Sequence, residues 1–340
     1  MTTKEAQFFL EDFIGSTSQE FCILEQSGSS RRNYVGQIEN QKYIVTYNEN
    51  LSENESFFYF STVFANLELQ TPKILKISED RKLYIQEFVG QNTLSEIIAN
   101  EGQTDRVEKL VKKALRQLAE LQKKTENLID YSKTFEYTEY DELAITNDLF
   151  YFKSFIADVL EIPYHKSTLL NEFKNLTDKI ENLGPHGIMI RDFQSRNIMV
   201  NEKNEVFFID YQSAMKGPLM YDVISFLFQA KADFSSDFKN KMLEYYYSLW
   251  EDIDKSVQLK ESVPLIQIIR FMQVLGAYGF RGLIQRKEHF LKSLEQGILN
   301  LQNFCNSWEE IQQYPELHQL IQNLSSLETK RKIDAILSKS

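Results

Sequence analysis

Ile190–Val200 reads IRDFQSRNIMV and Val206–Gln212 reads VFFIDYQ. Two short apolar runs, Ile198–Val200 and Val206–Ile209, flank the polar turn Asn201–Asn204, which is the pattern of a tight hairpin. A further apolar run, Ile188–Ile190, leads into it. Each run ends beside polar residues: Arg191 and Asp192 follow the first, Asn197 precedes the second and Asp210 closes the third. A hairpin carries the chain out and back, so the spacing predicts that Asp210 returns to the end from which Asp192 and Asn197 start.

Asp192 and Asn197 are five positions apart. Moving a phosphoryl group needs a carboxylate to orient the attacking oxygen, and oxygen donors that hold a divalent cation against the charge on the phosphates. Protein kinases meet this need with a loop of the form H-R-D-x-x-x-x-N and a second metal-binding Asp on the next strand pair. Singly, each acid reads as a solvated turn residue. The R-D pair, the apolar strand after it and Asp210 at hairpin distance select the functional reading: Asp192 as catalytic base, Asn197 and Asp210 as ligands of Mg.

Working outward, Ser18 to Glu87 reads as short strands rich in β-branched and aromatic residues, FCILEQ, NYVGQI, KYIVTY and KLYIQEF, interrupted by one helix through FFYFSTVFANL. Ser52 and Glu55 have capping-box spacing at the start of that helix, as Thr93 and Glu96 do before the next. Beyond Gly90 helical periodicity dominates. Val107, Leu110, Val111, Ala114, Leu115, Leu118 and Leu121 line one face, a core stripe. Pro264 and Pro315 are expected helix breaks. The predicted fold class is α+β, a two-lobed protein-kinase-like fold with a small β-rich N-lobe (1–89) and a larger helical C-lobe (90–340), the boundary falling near Phe88 to Gln91.

Composition excludes other classes. Lys and Arg total 38 against 49 acidic residues, a net charge of -11 that repels nucleic acid and anionic membrane. Cys22 and Cys305 stand far apart with no metal-ligand spacing, so neither a disulfide framework nor a zinc site is expected, and a reducing cytoplasm fits. The N-terminus MTTKEAQFFLEDFIG has no basic then apolar export pattern, and no run of about 18 uninterrupted apolar residues occurs. No membrane partner is expected.

RDFQSRNIMV followed by FIDYQSAMKGPLMYDVISFL resembles the aminoglycoside phosphotransferase and choline kinase superfamily. SGSSRRNYV (27–35), QTPKIL (70–75), YIQEFVGQNTL (84–94) and the GPLMYD run (217–222) are closer to the bacterial anomeric kinases that phosphorylate N-acetylmuramate and N-acetylglucosamine at the C1 hydroxyl; AYGFRGLIQRKEHFL (277–291) also looks family-like. The resemblance implies an ATP- and Mg-dependent enzyme with a small-molecule acceptor, an amino sugar. It implies that Ser29, Ser30, Arg31 and Arg32 turn over the ATP phosphates, that the backbone of Glu87, Phe88 and Val89 meets adenine, that Arg191 or Arg196 supports the catalytic loop, and that Asp222 buttresses it from a helix. Asp148 opens DLFYFKSFIADVL where family members place an acceptor-binding helix; it reads as a sugar ligand or as a helix cap.

The sequence departs from the kinase pattern twice. Ile190 stands where His opens the loop, a change that bears on packing. The phosphate-anchoring Lys of the third strand is missing: KYIVTYNEN offers Thr46 or Tyr47 at the inward position, and Lys42 comes too early. The anomeric kinases resemble this chain in lacking that Lys, which points to Arg31 and Arg32, since a guanidinium grips phosphate bidentately. Glu55 reads as a partner for such a cation or as a helix cap, with capping preferred. Gly276, Gly279 and Gly282 follow no strand and read as close helix packing, and the four His residues are scattered. Two other functions stay open: a phosphotransferase for aminoglycosides or amino alcohols, and a nucleotide-binding pseudokinase or scaffold.

Overall fold

The structure is a computed structural model and describes residues 1–24 and 31–337. Packing gathers the chain into two compact units, Met1–Thr138 with Ile190–Met215, and Glu139–Met189 with Lys216–Ser340.

The first unit opens with a helix that the sequence reading did not anticipate, α1 (Thr3–Ile14). Thr2 and Glu5 form a capping box at its start, and Gly15 ends it in the left-handed conformation at φ 76°. Strands β1 (Glu20–Ile23), β2 (Arg32–Ile38) and β3 (Gln41–Tyr47) follow, then helix α2 (Leu51–Asn66), β4 (Ile74–Ile77) and β5 (Leu83–Glu87). The five strands make one antiparallel sheet in the order β1-β2-β3-β5-β4. Tyr34, Val45, Leu83 and Ile85 pack from it against Ala6 and Leu10 of α1, so one of the two faces into which alternation sorts the side chains is covered by a helix. The strands expected in this region are present, apart from Glu25 and Gln26, which lie outside the described residues; β4 is an addition.

Helix α2 is capped by Asn50, whose side chain accepts from the Glu53 N–H, and not by Ser52 with Glu55. Asn and Ser cap comparably well, so the residue at which the chain enters the helix decides. After β5 come β6 (Asn92–Thr93), α3 (Leu94–Glu101) and α4 (Asp105–Lys124). The Thr93–Glu96 capping box is formed in full, and the α4 stripe is buried as its spacing predicts.

Phe88 to Gln91 lies inside the first compact unit. Gly90 lies so close to the later chain that a Cβ on it would stand 2.7 Å from the Val200 carbonyl oxygen, and two residues further on β6 pairs with Val200 and Met199 of the hairpin. The first unit therefore takes in α3, α4 and the hairpin.

In the second unit, α5 (Glu142–Phe152) runs into a π-helical stretch at Lys153–Asp158, followed by α6 (Lys166–Glu181) and β7 (His186–Met189). The chain then returns to the first unit for β8 (Ile198–Val200) and β9 (Val206–Phe208), with Ile198 opposite Phe208 and Val200 opposite Val206. β10 (Met215–Pro218) pairs with β7 and leads into α7 (Met220–Leu227), α8 (Ser236–Ser248) and α9 (Ile253–Tyr278), a second π-helical stretch at Gly279–Ile284, α10 (Glu288–Ser307), α11 (Pro315–Asn323) and α12 (Leu327–Leu337).

Pro315 opens α11 at its first turn as expected, but Pro264 lies inside α9 without ending it. One lost backbone hydrogen bond is outweighed where the rest of the helix is packed against α5, α7 and α10. By length and composition Ile253–Ile284 could cross a membrane; α9 packs against those three helices. A Cβ on Gly276 would stand 2.9 Å from the Phe152 nitrogen and one on Gly279 would strike the Phe155 carbonyl, so these glycines serve close helix approach.

Candidate active site

The two strand ends that carry the acids both bend sharply. Arg191 has φ 69° and Asp210 has φ 65°, left-handed conformations that cost L-residues of this kind about 1–3 kcal/mol each. Such bends persist only where neighbours over-determine them, and here they are pinned. The Asp192 N–H donates to the Ile190 carbonyl at 2.9 Å, Phe193 packs edge-on against Phe208, and the single turn Ser195–Asn197 feeds straight into β8. Coming back along β9, the Ile209 N–H donates to the Asn197 carbonyl at 3.0 Å.

The hairpin thus brings the three predicted residues together. Asn197 Nδ2 donates to the Asp192 carbonyl oxygen at 2.9 Å and to Asp210 Oδ2 at 3.3 Å. With that nitrogen engaged, the Asn197 amide oxygen is the atom left for a metal. An amide oxygen and a carboxylate are hard donors of the type that Mg takes, and Mg is commonly bound by one or two protein groups together with substrate phosphates and water. Among the described residues no three His, Cys, Asp or Glu side chains cluster as an all-protein metal cage.

Asp210 is held from the other side too. Gln212 Nε2 donates to its Oδ1 at 3.1 Å, the Gln212 carbonyl accepts from Ser56 Oγ of α2 at 2.8 Å, and the Tyr211 and Ser61 hydroxyls meet at 2.8 Å. Arg31 Nη1 lies 3.2 Å from the same Oδ1, and Arg31 Nε donates to Glu53 Oε1 at 3.0 Å. Burial alone would lower the guanidinium pKa, but Asp210, Tyr84 and Glu53 raise it above the ordinary value.

The other predicted residues are placed as follows. Ser29 and Ser30 lie outside the described residues. Arg32 reaches the Met1 carbonyl at 2.9 Å. Glu87 closes β5, its N–H bonded to the Lys73 carbonyl at 3.0 Å, and Phe88 and Val89 have left the ladder. Arg191 lies 3.8 Å from Glu136 and over the Tyr137 ring, whereas the Arg196 side chain is exposed. Thr46 is the inward residue of β3, and Tyr47 bonds Glu49. Glu55 neither caps α2 nor meets a phosphate-site cation: it pairs with the exposed Arg81, whose Nη2 lies 2.7 Å from Oε2.

In the second unit Asp222 is 0% exposed, in the first turn of α7. Asp148 lies well inside α5, 2% exposed, and accepts from the Tyr140 hydroxyl at 2.9 Å. It is no cap, because Asp141 caps that helix. Glu53 and Gln212 were not singled out from the sequence; Glu53 meets Arg31 22 residues away, and Gln212 reaches Asp210 two residues back while its carbonyl meets Ser56 of α2.

A sheet-and-helix first unit with a D-x-x-x-x-N loop and a strand-end Asp meeting at one point defines a phosphotransferase of the protein-kinase-like class. The chain belongs to the phosphotransferase enzyme family, whose sequence profile matches residues 24–256; it is an enzyme that phosphorylates a hydroxyl acceptor. No curated protein matches it significantly in sequence. Among solved structures it is similar to the choline kinase LicA from Streptococcus pneumoniae, with TM-score 0.62, 15% identity and coverage of 90% of this chain and 99% of that one. It is also similar to an ethanolamine kinase from Plasmodium vivax, with TM-score 0.59, 15% identity and coverage of 87% and 85%. A thermostable mutant of the aminoglycoside phosphotransferase APH(4)-Ia, in ternary complex with ADP and hygromycin B, gives TM-score 0.56, 16% identity and coverage of 87% and 98%. At these identities the likeness is one of fold.

Proposed function

We propose that this phosphotransferase is a cytoplasmic, Mg-ATP-dependent sugar kinase whose acceptor is the C1 hydroxyl of an N-acetylated amino sugar, N-acetylmuramate or N-acetylglucosamine. The observation that carries the kinase part is the single amide of Asn197 tying the Asp192 loop to the Asp210 carboxylate. The acceptor rests on the likeness of 27–35, 70–75, 84–94 and 217–222 to anomeric kinases.

In this reading Asp192 takes the acceptor proton as the sugar oxygen bonds to the γ-phosphorus and the bond from that phosphorus to the bridging oxygen of ADP breaks. A C1 hydroxyl is more acidic than an ordinary alcohol, which lightens the task of a carboxylate base. Asn197 and Asp210 hold Mg, which when bound neutralises charge on the transferring group. The backbone past Glu87 receives adenine at Phe88 and Val89, with Ser29, Ser30, Arg31 and Arg32 at the phosphates. Arg191 or Arg196 supports the catalytic loop, and Asp222 buttresses it. Asp148 serves the acceptor through its carboxylate.

The test is transfer of label from radiolabelled ATP, with Mg, to N-acetylmuramate, N-acetylglucosamine, an aminoglycoside, choline and ethanolamine, with Asp192→Asn as control. Label on C1 of an N-acetyl sugar, lost in the variant, is the expected result. Label on the cationic acceptors alone would replace the sugar reading with the second one, to which the net charge of -11 and the likeness to choline and aminoglycoside kinases lend support. Nucleotide binding without transfer to any of them would favour a pseudokinase.

A further inference from the structure

Phosphoryl transfer needs a fixed cation against the donor phosphates, and β3 supplies none. Its inward residue, Thr46, is 1% exposed and donates to Asn33 Oδ1 at 2.8 Å. Lys42 lies at the other end of the strand, its ammonium 5.6 Å from the centre of the Phe88 ring.

Arg31 has what the strand lacks. Its side chain is only 10% exposed, and its two edges have different partners. Nε and Nη2, the edge that presents two parallel N–H groups, both meet Glu53 Oε1, while Nη1 points to Asp210. An arginine that only solvated a turn would be neither buried nor shared by two carboxylates.

Glu53 is itself fixed. Its Oε2 accepts from Asn48 Nδ2 at 2.8 Å; Asn48 Nδ2 also reaches Asn54 Oδ1 at 3.1 Å, and the Asn54 amide donates to the carbonyls of Asn48 and Arg81 at 3.1 and 2.9 Å. These residues make a rigid polar anchor at the start of α2 that aims the guanidinium at the metal-binding carboxylate.

We propose that Arg31, aimed by Glu53, is the phosphate-holding cation of this enzyme, replacing from the start of β2 the lysine that other kinases carry on the third strand. The proposal rests on the kinase reading above and adds Glu53 to it as a positioning residue. A point charge on β3 can reach phosphate from close by. A cation that comes from β2 and must satisfy two acids needs the planar fork of arginine, so Arg31→Lys is not a conservative change here.

Calorimetric titration of Mg-ADP and of adenosine into the wild type, Arg31→Ala, Arg31→Lys, Glu53→Gln and the double variant Arg31→Ala/Thr46→Lys tests it, with a melting curve for each to establish folding. Arg31→Ala is expected to weaken Mg-ADP by about 10- to 100-fold, the worth of a charge-assisted pair, and to leave adenosine unchanged. Arg31→Lys and Glu53→Gln should fall between, and Thr46→Lys should recover part of the loss.

A folded Arg31→Ala protein that binds Mg-ADP as the wild type does, or that loses Mg-ADP and adenosine equally, overturns the proposal. If Arg31→Ala does not fold, an unchanged ratio of Mg-ADP to adenosine affinity in Arg31→Lys and Glu53→Gln overturns it as well. A wild type that binds neither ligand removes the kinase reading and the proposal with it.

Discussion

Asn197 and Asp210 meet at 3.3 Å through an amide nitrogen and a carboxylate oxygen, although a hairpin separates them in the chain. The same nitrogen holds the Asp192 carbonyl. The Asp192 loop and the strand end at Asp210 are therefore tied together through one amide. Both acids follow or occupy a left-handed bend, at Arg191 and at Asp210, so the backbone strain of this hairpin sits beside the two acids.

Asp192→Asn preserves size and removes the carboxylate proposed as the base. Transfer to the best acceptor should fall by about 10²- to 10⁴-fold, the usual worth of a general base, while Mg-ADP affinity stays at the wild-type value. Steady-state rates with calorimetry on the same preparation separate the two. A parallel loss of nucleotide affinity would assign Asp192 to the metal site instead.

Gly90→Ala tests how the first unit is joined. The new Cβ would stand 2.7 Å from the Val200 carbonyl oxygen and 2.9 Å from its carbon, and backbone atoms cannot swing aside as a flexible side chain can. A cost of about 1–3 kcal/mol is expected, read as a lower melting temperature. Because β8 continues directly from the Asp192–Asn197 loop proposed as catalytic, activity should fall in the folded variant as well.

The two thiols differ in environment. Cys22 is exposed on β1, whereas Cys305 is buried in α10, and burial pushes its pKa up to about 12. The thiolate is the reactive form, so a disulfide reagent at neutral pH should label one thiol promptly in the native protein and both after unfolding in urea. Prompt labelling of two native thiols would contradict the burial of Cys305.

Much of this architecture is legible because its signals are local. The catalytic hairpin is contained in 23 consecutive residues, Ile190 to Gln212, with its strands, turn and acids in reading order. Thr93 and Glu96 form their capping box in full, where β6 gives way to α3. The same pattern misleads at Ser52 and Glu55: Asn50 enters the helix first, and Arg81, 26 residues away from Glu55, claims the carboxylate. The Arg31–Glu53 pair spans 22 residues and leaves no periodic or spacing signature, so only the folded sheet reveals it. Helix α1 was missed although Thr2 and Glu5 announce its start, because Ala6 and Leu10 are its only fully buried residues and give too narrow a stripe to read.

Glu172 offers a stability test away from the chemistry. It lies on α6, 5% exposed, and its carboxylate accepts from the N–H groups of Glu316 and Leu317 at 2.9 and 2.7 Å, satisfying the first turn of α11 after Pro315. Glu172→Ala leaves one buried and one part-buried N–H group without an acceptor and should cost about 1–3 kcal/mol. Burial raises the Glu172 pKa above the ordinary glutamate value, against the pull of those two donors. With the folded value raised, its contribution is full below the unfolded value and is lost as pH rises through the folded one. Urea unfolding of the wild type and Glu172→Gln across the acidic range should therefore show the wild type's advantage largest at the acid end, falling to a plateau toward neutrality. An advantage that grows with pH would mean that the two N–H donors, and not burial, dominate this carboxylate.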